Sequence, residues 1–533
     1  MKIRRIDFMH LLGITAVMLI SACGGGGGDS STAGTAGTTT ITGSVFASYV
    51  SGANVSAKNS SGQTIAGPVT SAANGTYSIN IPTSSLTTDF SVESTGGTFI
   101  DEATGTSTAA GSLVAYISAG SLASGSSVNI DPSSTIISNL VTKHGKTLSN
   151  AKAIFSAAYG YTPDTSIIPK NAPTSGSDTP NRLAALRAGA FSQLTKELGL
   201  APDKQFDLIS ALEQDLSDDG ELNGSAGAVN GTSLTSDIQN RFAQALCNFQ
   251  KDLVHNLTGL TSADLGEPPF SKVALTNTYQ VEYIEGIVAA TVGKTSFKIK
   301  VTKRSDGTAA TGLTITLMPK MYMATMSHSA PVDTVAEDGS NPGSYDCTID
   351  YLMASGPGMG YWELKVTIDS GMSGESAFFF PPVGMSMGTT TVRATLKGQN
   401  DKIPGSMGME ASRRTYYLFN DGGTTATSFK LFIAAGESMM SFPAVSAGTT
   451  LHDESGTAWT VNPITVSVST DNATWVDATD ATGGHWTVSG LSGLTAGQAG
   501  AIYVKLTING EQKTTDGQAP SGVNGYATFT VTP

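Results

Sequence analysis

The sequence predicts a mainly β, multidomain protein: a string of β-sandwiches with one inserted α-helical domain. Three observations carry that expectation. At 533 residues the chain is too long for one hydrophobic core and accommodates three to five folded units. Charged residues are only 14% while hydrophobics reach 39% and Gly numbers 61, a profile too apolar for disorder and too poor in charge for helical bundles or coiled coils. Period-two alternation, as in Ser296-Phe297-Lys298-Ile299-Lys300-Val301 and Tyr361-Trp362-Glu363-Leu364-Lys365-Val366, recurs through most of the length. The net charge of −13, with no basic run after residue 5, would repel a phosphate backbone, so nucleic acid is not an expected partner.

The elements follow in order. Lys2, Arg4 and Arg5 precede an apolar run, Leu11 to Ile20, too short to span a bilayer, which is the layout of a secretory signal over residues 1–22. It ends in Ile20-Ser21-Ala22-Cys23, which resembles the bacterial lipoprotein lipobox. The resemblance implies cleavage before Cys23, lipid (palmitate among its acyl chains) on that cysteine, and a membrane partner reached through the anchor; the bland alternative is an ordinary signal with a chance cysteine. Residues 23–40, led by Gly24 to Gly28, can bury nothing and read as a tether. Gly24 is not the Asp that retains some lipoproteins on the inner membrane, so the expected location is the cell envelope, at the outer membrane.

From 41 to 130 short strands alternate with turn signals such as Asn74-Gly75. The spacing of Gly43, Val45, Gly52-Ala53, Val55, Gly62, Gly75, Tyr77 and Ile81-Pro82 resembles the carboxypeptidase regulatory-like domain, a small sandwich related to Cna-B modules, which implies a spacer without an active site. Between 131 and 265 apolar residues recur at helical spacing, with Ile136-Ile137, Leu140-Val141 and Ile154-Phe155, and with Pro163, Pro169, Pro173 and Pro202 as breaks. Asp207, Glu213 and Arg241 are expected on solvent faces. Asp215, Ser217 and Asp219, followed by Gly220, match part of a calcium loop, but Ala226 stands where the bidentate Glu is needed, so a capping acidic turn is the competing reading.

Residues 270–397 return to β texture. Gly293 with Phe297, Gly312-Leu313, Leu317-Met318-Pro319 through Met326 and His328, Gly343-Ser344-Tyr345 and Gly360-Tyr361-Trp362-Glu363-Leu364 resemble the YtkA/FixH-like family of exported sandwiches. That resemblance implies an extracytoplasmic binding role rather than a reaction. A further sandwich is expected over 398–533, with Trp459, Trp475 and Trp486 as core anchors and hairpins at Asp421-Gly422 and Asn509-Gly510.

Methionine usage is uneven. Of 16 Met, three lie in the leader and the other 13 all fall between Met318 and Met440. Met321/Met323, Met385/Met387 and Met407/Met409 are spaced to share a strand face, and His328 follows Met326 by two. Thioether and imidazole suit copper, the one cofactor the sequence suggests, through Met321, Met323, Met326, His328, Met385, Met387, Met407 and Met409. The competing reading is packing, expected for Met318, Met353 and Met372, or a Met-lined protein contact.

Cys247 and Cys347 either bridge two domains or remain buried thiols. There is no Cys-x-x-Cys-His and no His-Glu-x-x-His, and Gly293-Lys294-Thr295 lacks the first Gly of a phosphate loop, where Val288 stands. No catalytic residue is expected. The expected function is that of a non-enzymatic structural or interaction protein with an envelope protein partner; the alternative is a copper-binding lipoprotein.

Overall fold

The structure, a computed structural model, describes residues 37–173, 178–369, 374–405 and 410–533. The leader, Cys23, Met372, Met407 and Met409 lie outside the described residues. The fold is mainly β, with antiparallel sheets before and after a helical segment.

The first unit contains β1 (Thr38–Ser44), β2 (Asn54–Asn59), β3 (Thr64–Thr70), β4 (Thr76–Pro82), β5 (Phe90–Thr95), β6 (Thr98–Ile100), β7 (Ser107–Ala109) and β8 (Leu113–Ile117). A β3-β2-β5-β8 sheet faces the β1-β4 pair. In β4, Tyr77, Ile79 and Ile81 point inward while Thr76, Ser78 and Asn80 are exposed, the alternation expected of a strand with one wet face.

The helices are α1 (Pro132–Thr142), α2 (Leu148–Tyr159), α3 (Thr179–Glu197), α4 (Gln205–Asp218), α5 (Ile238–Lys251) and the short α6 (Ser262–Leu265). Asp131 starts α1 by capping the backbone N–H of Ser134 at 2.7 Å, and Ser134 Oγ accepts from the Asp131 N–H at 2.9 Å, with Pro132 at the first helical position. Tyr159, Phe191 and Phe242 from α2, α3 and α5 interlock with ring centroids 4.7 to 5.5 Å apart. These helices and the first sheets share one continuous core, which Tyr361 and Phe380 from farther along the chain also enter.

Two predicted details differ here. Glu213 is not on a solvent face: it is buried, accepts from His144 Nε2 at 2.9 Å and from the amide of Asn139, and has Lys143 Nζ at 3.5 Å. These partners lie about 70 residues upstream, beyond the reach of helical periodicity. Asp215, Ser217 and Asp219 do not converge as a cage. Asp215 is fully buried and takes the backbone N–H groups of Asn223, Gly224 and Ala226; Ser217 Oγ donates back to Gln214 O, and Asp219 accepts from the Glu221 N–H. The acidic run is a backbone-capping turn, because α4 continues to Asp218, which turns Asp215 inward and leaves Asp219 exposed.

The second sandwich holds β9 (Val273–Leu275), β10 (Tyr279–Glu285), β11 (Gly293–Lys303), β12 (Thr314–Tyr322), β13 (Ser327–His328), β14 (Val332–Glu337), β15 (Ser344–Tyr351), β16 (Tyr361–Asp369) and β17 (Gly374–Phe379). A β14-β15-β11-β10-β9 sheet packs on β13-β12-β16-β17. The third holds β18 (Arg393–Ile403), β19 (Ser412–Asn420), β20 (Ser428–Ala435), β21 (Thr450–His452), β22 (Ala458–Thr460), β23 (Ile464–Ser469), β24 (Val476–Asp477), β25 (Thr479–Asp480), β26 (His485–Ser489), β27 (Gly500–Ile508), β28 (Glu511–Gln512) and β29 (Ala527–Val531). Its sheets run β18-β19-β20-β26-β25 and β24-β23-β27-β28, with β29 also on β27. Asn509 and Gly510 both take positive φ, +52° and +78°, and close the β27–β28 hairpin as a mirror-image turn requires.

Trp486 anchors the third core and donates to Val445 O at 3.1 Å, while Trp459 packs at its edge. Trp475 is not a core anchor. It is half-buried under Lys505, whose ammonium stands 3.7 Å from the ring centroid. The thiols of Cys247 and Cys347 do not bridge: each is free and buried, one in the first core and the other in the second.

Candidate functional site

Among the described residues the methionines separate by strand face. In β12 the side chains of Ile315, Leu317 and Met321 point into the second core, so Thr316, Met318 and Lys320 point out. Met318 is therefore exposed rather than core, because register and not local apolarity decides its face. Met323 and Met353 are half-buried against the core, whereas Met326, Met359, Met385, Met387, Met439 and Met440 are exposed.

Several of these gather around β13, which pairs His328 with Met321 and Ser327 with Tyr322. The Met323 N–H donates to Met326 O at 3.0 Å, closing the turn before β13. From the third sandwich, the turn Ser438-Met439-Met440-Ser441 reaches over, and Met439 O accepts from the Ser329 N–H at 2.7 Å. Met359 sits in the Gly356–Gly360 turn, where Gly360 approaches so closely that a Cβ would meet Tyr322 O at 1.8 Å. Met385 and Met387 lie apart, on the segment after Gly384, which is held to Ala290.

His328 is buried beside Trp362, ring centroids 5.3 Å apart. Its Nδ1 lies 2.7 Å from Ser329 O, which can only accept, so Nδ1 carries the proton. Burial holds the ring below the ordinary histidine range, and the neutral ring then presents its Nε2 lone pair to Met353 Sδ at 3.2 Å. Met353 is in turn fixed by Trp362 Nε1 donating to its carbonyl at 3.0 Å. The structure thus brings His328 together with Met353 and, through the β12–β13 register, Met321; it does not bring in Met385 or Met387. Sequence spacing missed Met353 because it lies in the bend after β15 and approaches His328 across 25 residues.

The remaining histidines after the leader serve carboxylates. His144 meets Glu213, His255 meets Asp252 at 2.8 Å, His452 meets Glu437 at 3.0 Å, and His485 lies between Asp333 and Asp421. A cleft of about 550 Å³ opens between the first sheets and the helices. Its ionisable walls are already paired, Lys58 with Glu93 and Tyr116 with Asp89 at 2.6 Å.

No family model and no curated protein matches the chain. Among solved structures it is similar to a chimeric titin Z1Z2-Z1Z2 tandem functionalized with a GRGDS exogenous peptide from fibronectin. That likeness is 10% identity over 48% of this chain and 96% of that one, with a TM-score of 0.12. A chimeric titin Z1Z2 functionalized with a KLER exogenous peptide from decorin aligns at 7% identity over 45% of this chain and 94% of that one, also with a TM-score of 0.12.

Proposed function

We propose that the chain is a lipid-anchored, non-enzymatic binding protein of the cell envelope, tethered through Cys23 at the outer membrane and holding a protein partner with a methionine-rich face of its second and third sandwiches. One observation carries the reading: seven of the 15 large exposed hydrophobics among the described residues are methionines, and all seven fall between Met318 and Met440. Core filler would be buried. Flexible, polarizable thioethers at the surface adapt to a partner at low cost in shape complementarity. Fractionating cells that carry Cys23→Ser tests the anchor, with release from the membrane expected. Photo-crosslinking from Met326, Met439 and Met440 tests the face.

A second reading, copper capture, is favoured by the unshared lone pairs that His328 Nε2 and Met353 Sδ present to each other. On that reading the ligands are His328, Met353 and Met321. Anaerobic competition of the full chain with a Cu(I) chelator decides it: one equivalent withdrawn by the wild type and none by His328→Ala is expected if copper is the ligand.

A further inference from the structure

A pocket of about 350 Å³ opens on the third sandwich, away from the methionines. Its rim comes from an irregularity in β18. The ladder with β19 pairs Lys397 with Thr415 and then Lys402 with Arg413, so Gly398 to Asp401 bulge out of register and Asn400 reaches the surface. The Glu511 carboxylate fixes that bulge, accepting from the Gln399 and Asn400 N–H groups at 2.8 and 3.0 Å. Trp459, from β22, forms a wall. Its ring is backed by the fully buried guanidinium of Arg414, 5.8 Å from the ring centroid. Asn509 ties the β27–β28 hairpin to that wall, accepting from the Asn462 N–H at 2.7 Å and donating to Thr460 O at 2.9 Å.

The charges around the pocket are already answered within the protein. Arg414 donates to Asp401 at 3.0 Å and to Glu437 at 3.1 Å. Lys513, buried in the floor, stands 2.8 Å from Glu511 and 3.4 Å from Asp401. Lys402 lies 3.8 Å from Glu454. Asp453 Oδ1 takes the Ser455 and Thr457 N–H groups at 2.8 and 2.9 Å. Among the described residues, the lining groups left without a protein partner are the Asn400 side-chain amide, the Trp459 indole N–H and Asp453 Oδ2. An ion finds no unanswered counter-charge in this set. A neutral ligand with hydroxyls on its edge and C–H groups on its face finds donors, an acceptor and an aromatic surface.

We propose that this pocket binds a neutral saccharide. A sugar ring lays its C–H face against the Trp459 indole, and neighbouring hydroxyls donate to Asp453 Oδ2 and exchange hydrogen bonds with the Asn400 amide. The volume falls within the range of small-molecule sites, about 300–1,000 Å³. Wall and rim are held by hydrogen bonds inside the protein, so little side-chain freedom is lost when the ligand enters. The assignment rests on neither the lipid anchor nor the exposed thioethers.

The test is retention of the full chain on immobilised neutral glucan, mannan, galactan and N-acetylglucosamine polymers, with heparin and a sialylated glycan as anionic controls. Competition by the matching free oligosaccharides separates a diffusible ligand from a matrix chain, and either form supports the site. The expected result is retention on at least one neutral polymer, weakened at least about tenfold in Trp459→Ala and about threefold or more in Asn400→Ala. Trp475→Ala, in the same sandwich but outside the pocket, leaves retention unchanged. Asn400→Ala, at an exposed position, keeps the test open should Trp459→Ala fold poorly. No retention of the folded wild type on any neutral polymer, retention equal in wild type and both pocket variants, or stronger retention on the anionic controls overturns the proposal.

Discussion

Replacing Met321 with Ala separates the two roles assigned to methionine. The side chain is fully buried in the second core, its strand neighbours across the sheet being His328 on one side and Trp362 on the other. Truncating a buried Met removes its transfer free energy and leaves a cavity, costing about 2–5 kcal/mol. With a urea dependence of about 1–3 kcal/mol per molar for a unit of this size, the midpoint of the second-sandwich transition falls by about 1 M or more. Trp362 lies against the new cavity, so the fluorescence change that moves with the substitution reports that transition, while Trp459, Trp475 and Trp486 report the third sandwich. Met326→Ser and Met387→Ser, at exposed positions, shift the same midpoint by no more than the equivalent of about 0.5 kcal/mol. A loss below about 0.5 kcal/mol in Met321→Ala, or a loss comparable to it in the two exposed variants, would refute the division into core and contact methionines.

Other outcomes follow from individual groups. Burial raises the Asp131 carboxyl to about 6, so the stability it confers is full below the unfolded value near 4 and is lost as pH rises to 6; the wild type should lose up to about 3 kcal/mol relative to Asp131→Asn, which keeps the cap, across that window in pH-dependent urea melts. Burial pushes both Cys247 and Cys347 up to about 12, so neither should react with a thiol reagent at pH 8 before urea unfolds its core, and intact mass should show two free thiols. Asp215→Ala orphans three backbone N–H groups and should cost about 3 kcal/mol in thermal or chemical melts, while millimolar Ca²⁺ leaves the wild-type melt unmoved.

What could be read from the sequence was local in origin. The alternation in β11 and β16, the Asp131-Pro132 start of α1 and the Asn509-Gly510 turn each depend on neighbours within a few residues, and each is found where the pattern put it. What escaped was set by contacts between distant segments. Glu213 looked like a surface acid until Asn139 and His144 surrounded it. Met318 looked like core, yet the register of β12 turns it outward. Met353, in the bend after β15, reaches His328 only because β13 and β15 share a sandwich, and Asp333 reaches His485 across 152 residues. Nor does composition reveal that the first sheets and the helices are sealed by one core.

The most direct measurement is photo-crosslinking in intact cells from Met326, Met439 and Met440, with Ser85 on the first unit as control. The account predicts that the three methionine positions trap the same envelope protein, that Ser85 does not, and that the product disappears when Cys23→Ser releases the chain from the membrane. Equal trapping from Ser85, or no product from any methionine position in a correctly folded and anchored chain, would contradict it.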